Sequence, residues 1–207
     1  MNDICCLGYS YTDIYPNFTK KGGIHNFSAQ EYCQIGEAEC HYNGNFVKTY
    51  EKVGPPDYTK IAQIKSKTLH LMYGELINPE IFSKYDNFAY LSVDFISKFS
   101  NLDKSLLFRW SKIANILFCS INEGELYNNW PKLGCELVLH SKEGVLYISG
   151  GKSLIVKNPR VGDFPNTISA GDFLTAILIE TPITQTSILR AMYKTYDYLE
   201  ELNNVEV

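Results

Sequence analysis

No stretch of the 207 residues stays apolar over the roughly 18 positions that a membrane-spanning helix needs. A basic surplus is also missing. The 19 Lys and Arg against 23 Asp and Glu leave a formal charge of −4, the wrong sign for a general nucleic-acid binder. No basic segment precedes the first apolar run, so residues 1–8 read as an opening strand and not a secretion signal, and the expected location is the cytoplasm. Without secretion, the sequons Asn17-Phe18-Thr19 and Asn26-Phe27-Ser28 carry no sugar. The six cysteines (Cys5, Cys6, Cys33, Cys40, Cys119, Cys135) contain no C-x-x-C, and Cys5, Cys6 and Cys119 fall inside apolar runs. Reduced, buried thiols are expected in place of disulfides. The four histidines, His25, His41, His70 and His140, are scattered without ligand spacing, so no zinc site is expected. Repeats, low-complexity tracts and linkers are absent too. The expectation is one domain over residues 1–207, with Gly54-Pro55-Pro56 as a loop inside it.

What the chain does have is a 45% hydrophobic content, enough for a sizeable core, arranged as short runs rich in β-branched and aromatic residues. These lie at 4–9, 68–73, 88–93, 116–119, 136–140, 145–148 and 154–156. Between them, helical periodicity marks 28–35, 103–114 and a short 123–130, and 188–202 reads as a final amphipathic helix. Alternation of this kind predicts an α/β fold with a mostly parallel sheet and helices on its faces. Gly150-Gly151 predicts a hairpin turn near the sheet edge. Small or polar residues follow the predicted strands: Gly8 to Asp13, Gly74-Glu75, Asp94, Asn122 and Ser141. In a parallel sheet they cluster on the carboxyl edge, where open α/β folds bind ligands, although loops are polar anyway.

The segment Asn166-Thr167-Ile168-Ser169-Ala170-Gly171-Asp172 carries the most chemistry, because the apolar run 173–179 follows it directly. A small-residue turn opens a buried helix, whose free N–H groups and positive dipole end attract phosphate. A carboxylate placed there repels that anion, unless its task is to orient or deprotonate a hydroxyl that attacks phosphorus. The segment resembles the C-terminal signature D-T-x-G-A-G-D of the ribokinase-like (PfkB) carbohydrate kinases. Thr167, Ala170, Gly171 and Asp172 match; Asn166 and Ser169 depart.

The resemblance implies a three-layer α/β/α sandwich that uses ATP and Mg²⁺ to phosphorylate a sugar, nucleoside or polyol, with a homodimer allowed for. In that reading Asp172 is the base, and the N–H groups of Ser169, Ala170 and Gly171 form an anion hole. Ser169 must then adopt a conformation usually left to glycine. Asp13 looks like the substrate-binding acid after the first strand, or else an exposed loop residue. Gly22, Gly23 and Phe27 resemble the acceptor-pocket pattern that precedes a helix ending at Gly36, although the glycine pair also suits a simple turn. Asn122 and Glu125 resemble the N-x-x-E motif that organises Mg²⁺, and equally suit a helix cap. Leu139, Ser141 and Gly144 fall where the family has T-x-G-x-x-G; Ser141 and Gly144 are the expected nucleotide contacts, and Leu139 brings no hydroxyl. Few residues precede Gly22, and only residues 173–207 follow Asp172, so the lid is expected to be reduced or absent and the acceptor site exposed. Tyr9, Tyr11, Tyr15 and Phe18 suit either ring stacking on a ligand or the core and its rim. The departures also admit a non-catalytic descendant that binds a ligand or a partner.

Overall fold

The computed structural model describes residues 3–17, 19–24, 29, 31–43, 46–160, 162–164, 167 and 169–204. Phe18, Phe27 and Asn166 lie outside them.

The described strands are β1 (Ile4–Ile14), β2 (Thr19–Gly23), β3 (Glu31–Asn43), β4 (Phe46–Val53), β5 (Thr68–Leu71), β6 (Tyr90–Asp94), β7 (Ile116–Ser120), β8 (Glu136–Ser141), β9 (Gly144–Ser149) and β10 (Lys152–Lys157). They form one sheet of order β10-β9-β8-β7-β6-β5-β1-β3-β4, with β2 also paired to β1. From β3 through β8 in that order the pairs are parallel; β2, β4, β9 and β10 join antiparallel. This is the mostly parallel α/β architecture that the alternating pattern predicts. The α-helices are α1 (Lys104–Trp110), α2 (Ala170–Ile179) and α3 (Gln185–Asn204), and short 3₁₀ turns connect β4 to α1.

The period of two along each strand divides the core between the two faces. Leu117, Cys119, Leu137 and Leu139 pack with Trp110 on one face, while Ile116, Phe118 and Val138 meet Leu174, Leu178 and Ile188 on the other. Helix α1 thus covers one face, and α2 and α3 cover the opposite one. The cysteines are free thiols, all buried except the half-buried Cys135. Burial pushes the Cys33 thiol up to about 11 and that of Cys40 up to about 12. No helix among the described residues is long and apolar enough to cross a membrane.

Several expectations change here. The run 28–35, read as helical, contributes residues 31–35 to β3, which pairs with β1 from Cys5 to Ile14. A register shift opposite Gly8/Tyr9 breaks the two-residue alternation, so the burial sequence Cys33, Ile35, Ala38, Cys40 hides its strand character. The short helix expected over 123–130 is a series of turns. Gly22 and Gly23 lie in β2, paired with Tyr11 and Ser10, and not in a loop. The outer half of β1 runs past the sheet's carboxyl edge and, with β2, the outer half of β3, and β4, forms an extension of four paired strands. The hairpin at Gly150-Gly151 is as expected: Ser149 faces Lys152, and both glycines have positive φ, 55° and 77°.

Candidate active site

Helix α2 starts abruptly because Ser169, its N-cap, is left-handed (φ 63°, ψ 7°). Here a serine takes the conformation usually left to glycine. The Ala170 N–H turns back to the Thr167 carbonyl at 3.2 Å, and the Phe173 N–H closes the first helical turn on the Ser169 carbonyl at 2.9 Å. Of the expected anion-hole donors, Ala170 is therefore already engaged. The Ser169 and Gly171 N–H groups have no partner among the described residues.

Asp172, in the first turn, is half-buried and turned toward the sheet edge. The Tyr73 hydroxyl donates to its Oδ2 at 3.5 Å. Tyr73 follows β5 in a left-handed conformation (φ 67°, ψ 63°) and leans on Tyr11 of β1, ring centroids 5.1 Å apart. Asp94, at the end of β6 and only 4% exposed, shares this neighbourhood. Burial first, then the charge of Asp172, holds its carboxyl well above the usual carboxylate range. Its Oδ1 accepts the Phe95 N–H at 2.8 Å. Glu75 closes the adjoining turn by accepting the N–H groups of Ile96 (3.1 Å) and Ser97 (2.8 Å).

On the other side of the α2 start lies a cavity of about 490 Å³. Ala170 and Gly171 form one wall, His140 and Ser141 from the end of β8 a second, and Met192, Thr195 and Tyr196 of α3 a third. Lys98, Lys142 and Arg160 bring positive charge. Lys142 is held by Glu123 (3.0 Å) and Asp163 (3.6 Å), and Arg160 by Asp197 (2.7 Å) while it stacks over Tyr193 and Tyr196. The first turn of α2 thus stands between a carboxylate pair and a cationic cavity.

The other expected site residues are placed as follows. Asp13 is 2% exposed within β1, not in an exposed loop. Its carboxylate fills the space beside Gly22, where a Cβ would lie 2.1 Å from Oδ2. Ser141 lines the cavity, and its Oγ accepts the Glu143 N–H at 3.2 Å. Gly144 does not line the cavity. It sits at φ 153°, with the Val156 carbonyl 2.3 Å from where its Cβ would be. Tyr9 and Tyr11 are core residues, 0% and 2% exposed. The Glu125 carboxylate accepts the Asn122 N–H at 2.9 Å, and the Asn122 amide oxygen accepts the Lys98 ammonium at 2.6 Å. Arranged so, Asn122 and Glu125 bond to protein partners. No group of three or more His, Cys, Asp or Glu suited to a metal occurs among the described residues.

Sequence reading passed over Tyr73, His140 and Arg160, and took Asp94 only as an edge residue. The signal for His140 lay in strand alternation: it shares a face of β8 with Val138, the face that α2 covers.

No family model matches the sequence, and no curated protein matches it. Solved structures do match in fold. A fructokinase double mutant from Vibrio cholerae, bound to fructose, ADP and potassium, superposes with a TM-score of 0.64 at 13% identity, covering 94% of this chain and 90% of that one. A pyrophosphate-dependent kinase of the ribokinase family, complexed with a pyrophosphate analog and myo-inositol, gives 0.61 at 13%, covering 93% of each chain. An uncharacterized sugar kinase from Pyrococcus horikoshii in complex with ATP gives 0.59 at 11%, covering 93% and 92%. The fold of this chain is the ribokinase-like fold.

Proposed function

We propose that this chain is a small-molecule kinase, its 207 residues acting as one domain, that transfers a phosphoryl group from ATP to a hydroxymethyl group of a sugar, nucleoside or related polyol. One observation carries the reading: the first turn of α2 points Asp172 toward Tyr73 and exposes Gly171 to the cationic cavity on its other side. Asp172 takes the proton of the acceptor hydroxyl as that oxygen bonds to the γ-phosphorus. The bond from the γ-phosphorus to the bridging oxygen breaks, and ADP leaves. The Ser169 and Gly171 N–H groups, with the positive end of the α2 dipole, stabilise charge on the moving phosphoryl group. Burial, and then the charge of Asp172, raise the Asp94 carboxyl well above the usual carboxylate range, which favours its neutral form beside the base. The strand extension carrying Asp13 and Gly22 borders the acceptor side, because Tyr11 on the same strand touches Tyr73. The neighbours that hold ATP or ADP support a nucleotide donor, and those that hold fructose or myo-inositol support a polyol acceptor.

The test is ADP release screened across sugars and nucleosides. Asp172→Asn is expected to lower turnover by about 10²–10⁴-fold with an unchanged circular dichroism spectrum. Equal turnover in that variant rules out Asp172 as the base.

The second reading, a ligand-binding descendant without catalysis, draws on Leu139, buried where the family has a threonine hydroxyl, and on the engagement of Asn122 by Lys98. A thermal-shift panel separates the two, since ligand linkage raises apparent stability. A shift with ATP or ADP supports the kinase, whereas a shift with polyols alone supports the binding protein.

A further inference from the structure

We propose that His140 is a donor-binding residue: its neutral imidazole donates an N–H to a phosphate oxygen of the polyphosphate that docks at the start of α2. This rests on the kinase reading of that helix start but concerns a residue that the reading does not use.

Three observations carry it. First, His140 is alone among the described histidines in lacking a side-chain partner there. His41 pairs with Glu39 at 3.4 Å, and His70 Nδ1 meets Ser92 Oγ at 2.5 Å, whereas no described group bonds the His140 ring. A polar ring without a partner among the described residues, set in a cavity wall, is the kind of group that a ligand or water satisfies. Second, the ring lies against the first turn of α2. A Cβ added at Gly171 would stand 3.1 Å from His140 Cε1 and 3.6 Å from Nε2, so the glycine lets ring and helix start meet. The imidazole edge and the first turn of α2 at Gly171 therefore open into the same cavity. Third, the ring's protonation state suits the role. Burial pushes its pKa down to about 4, and the positive dipole end of α2 also disfavours an imidazolium there. A neutral imidazole keeps one N–H to donate, and Lys98 brings positive charge to the same cavity, where Lys142 is paired with Glu123 and Asp163.

The experiment uses the full chain labelled with ¹⁵N and follows the imidazole nitrogens by two-bond ¹H–¹⁵N correlation as inorganic pyrophosphate, then ATP, is added. The expected result is a shift of the His140 ring nitrogens and a rise of its pKa from about 4, since a bound anion favours the protonated ring. By titration calorimetry, His140→Ala should weaken pyrophosphate by about tenfold or more, and His140→Gln, which keeps an N–H donor, should recover part of the loss. If His140→Ala does not fold, the wild-type spectrum decides alone. Pyrophosphate binding that leaves the His140 signals still, with equal affinity in the alanine variant, overturns the proposal. Absence of binding by both pyrophosphate and ATP removes the anion site itself, and the role of His140 with it. Binding with the expected His140 response but no phosphoryl transfer to any acceptor removes the kinase reading and leaves this inference standing.

Discussion

Ser169 shows how one residue can serve two requirements that compete. Its left-handed backbone (φ 63°) turns the chain so that α2 starts at the cavity rim, a conformation that costs an L-residue roughly 1–2 kcal/mol. Ser169→Gly relieves that strain while the unfolded chain gains freedom, so the variant should be more stable by up to about 1 kcal/mol in urea denaturation, with the donor site unchanged. Asp94 makes a parallel case in charge. The unfolded chain ionises this carboxyl in the ordinary range, whereas the folded protein keeps the proton to a higher pH. The folded state binds more protons in that window, so the contribution of Asp94 is greatest at low pH and is lost as pH rises through its raised pKa. Asp94→Asn retains an acceptor for the Phe95 N–H and removes the ionisation, so its melting temperature at pH 7 should exceed that of the wild type. An equal or lower value would mean that Asp94 is ionised in the folded protein.

At the scale of elements, β3 and the β8–β9 hairpin mark what local pattern could and could not tell. The β8 and β9 runs were legible because each has a clear apolar core and a polar two-residue connection, Lys142-Glu143, between Ser141 and Gly144. Gly144 itself was not legible. It resembled a nucleotide glycine, yet its lack of a side chain is required by β10, whose Val156 carbonyl occupies that space. Gly144→Ala should cost about 2–4 kcal/mol from overpacking and backbone strain together. Chemical denaturation measures it, and a cost near zero would show that β10 can move away. The misreading of β3 has a different cause: the bulge opposite Gly8/Tyr9 shifts the phase of its buried residues, and only pairing with β1 reveals why.

Across the whole molecule, buried neutral histidines set a slope of stability with pH. His70 is pushed down to about 3 by burial, whereas an unfolded histidine titrates near 6.5. The unfolded chain therefore binds more protons below about pH 6.5, and the stabilising contribution, complete above that pH, is lost progressively as pH falls toward 3. His140 acts in the same direction, and the raised carboxyls of Asp94 and Glu75 oppose it. His70→Gln should flatten the decline of the urea midpoint between pH 6.5 and 4; an unchanged slope would show that His70 does not titrate with unfolding. The sequence alone determined the layered α/β class, the hairpin at Gly150-Gly151 and the position of Asp172 at a helix start, because side-chain periodicity, turn chemistry and capping are local properties of neighbouring residues. Tertiary structure alone decided that Tyr73 and Asp94 stand with Asp172, that His140 lies on Gly171, and that Lys98, Lys142 and Arg160 share one cavity. Those residues lie far apart along the chain, and only the order of parallel strands, with α2 laid across their ends, gathers them.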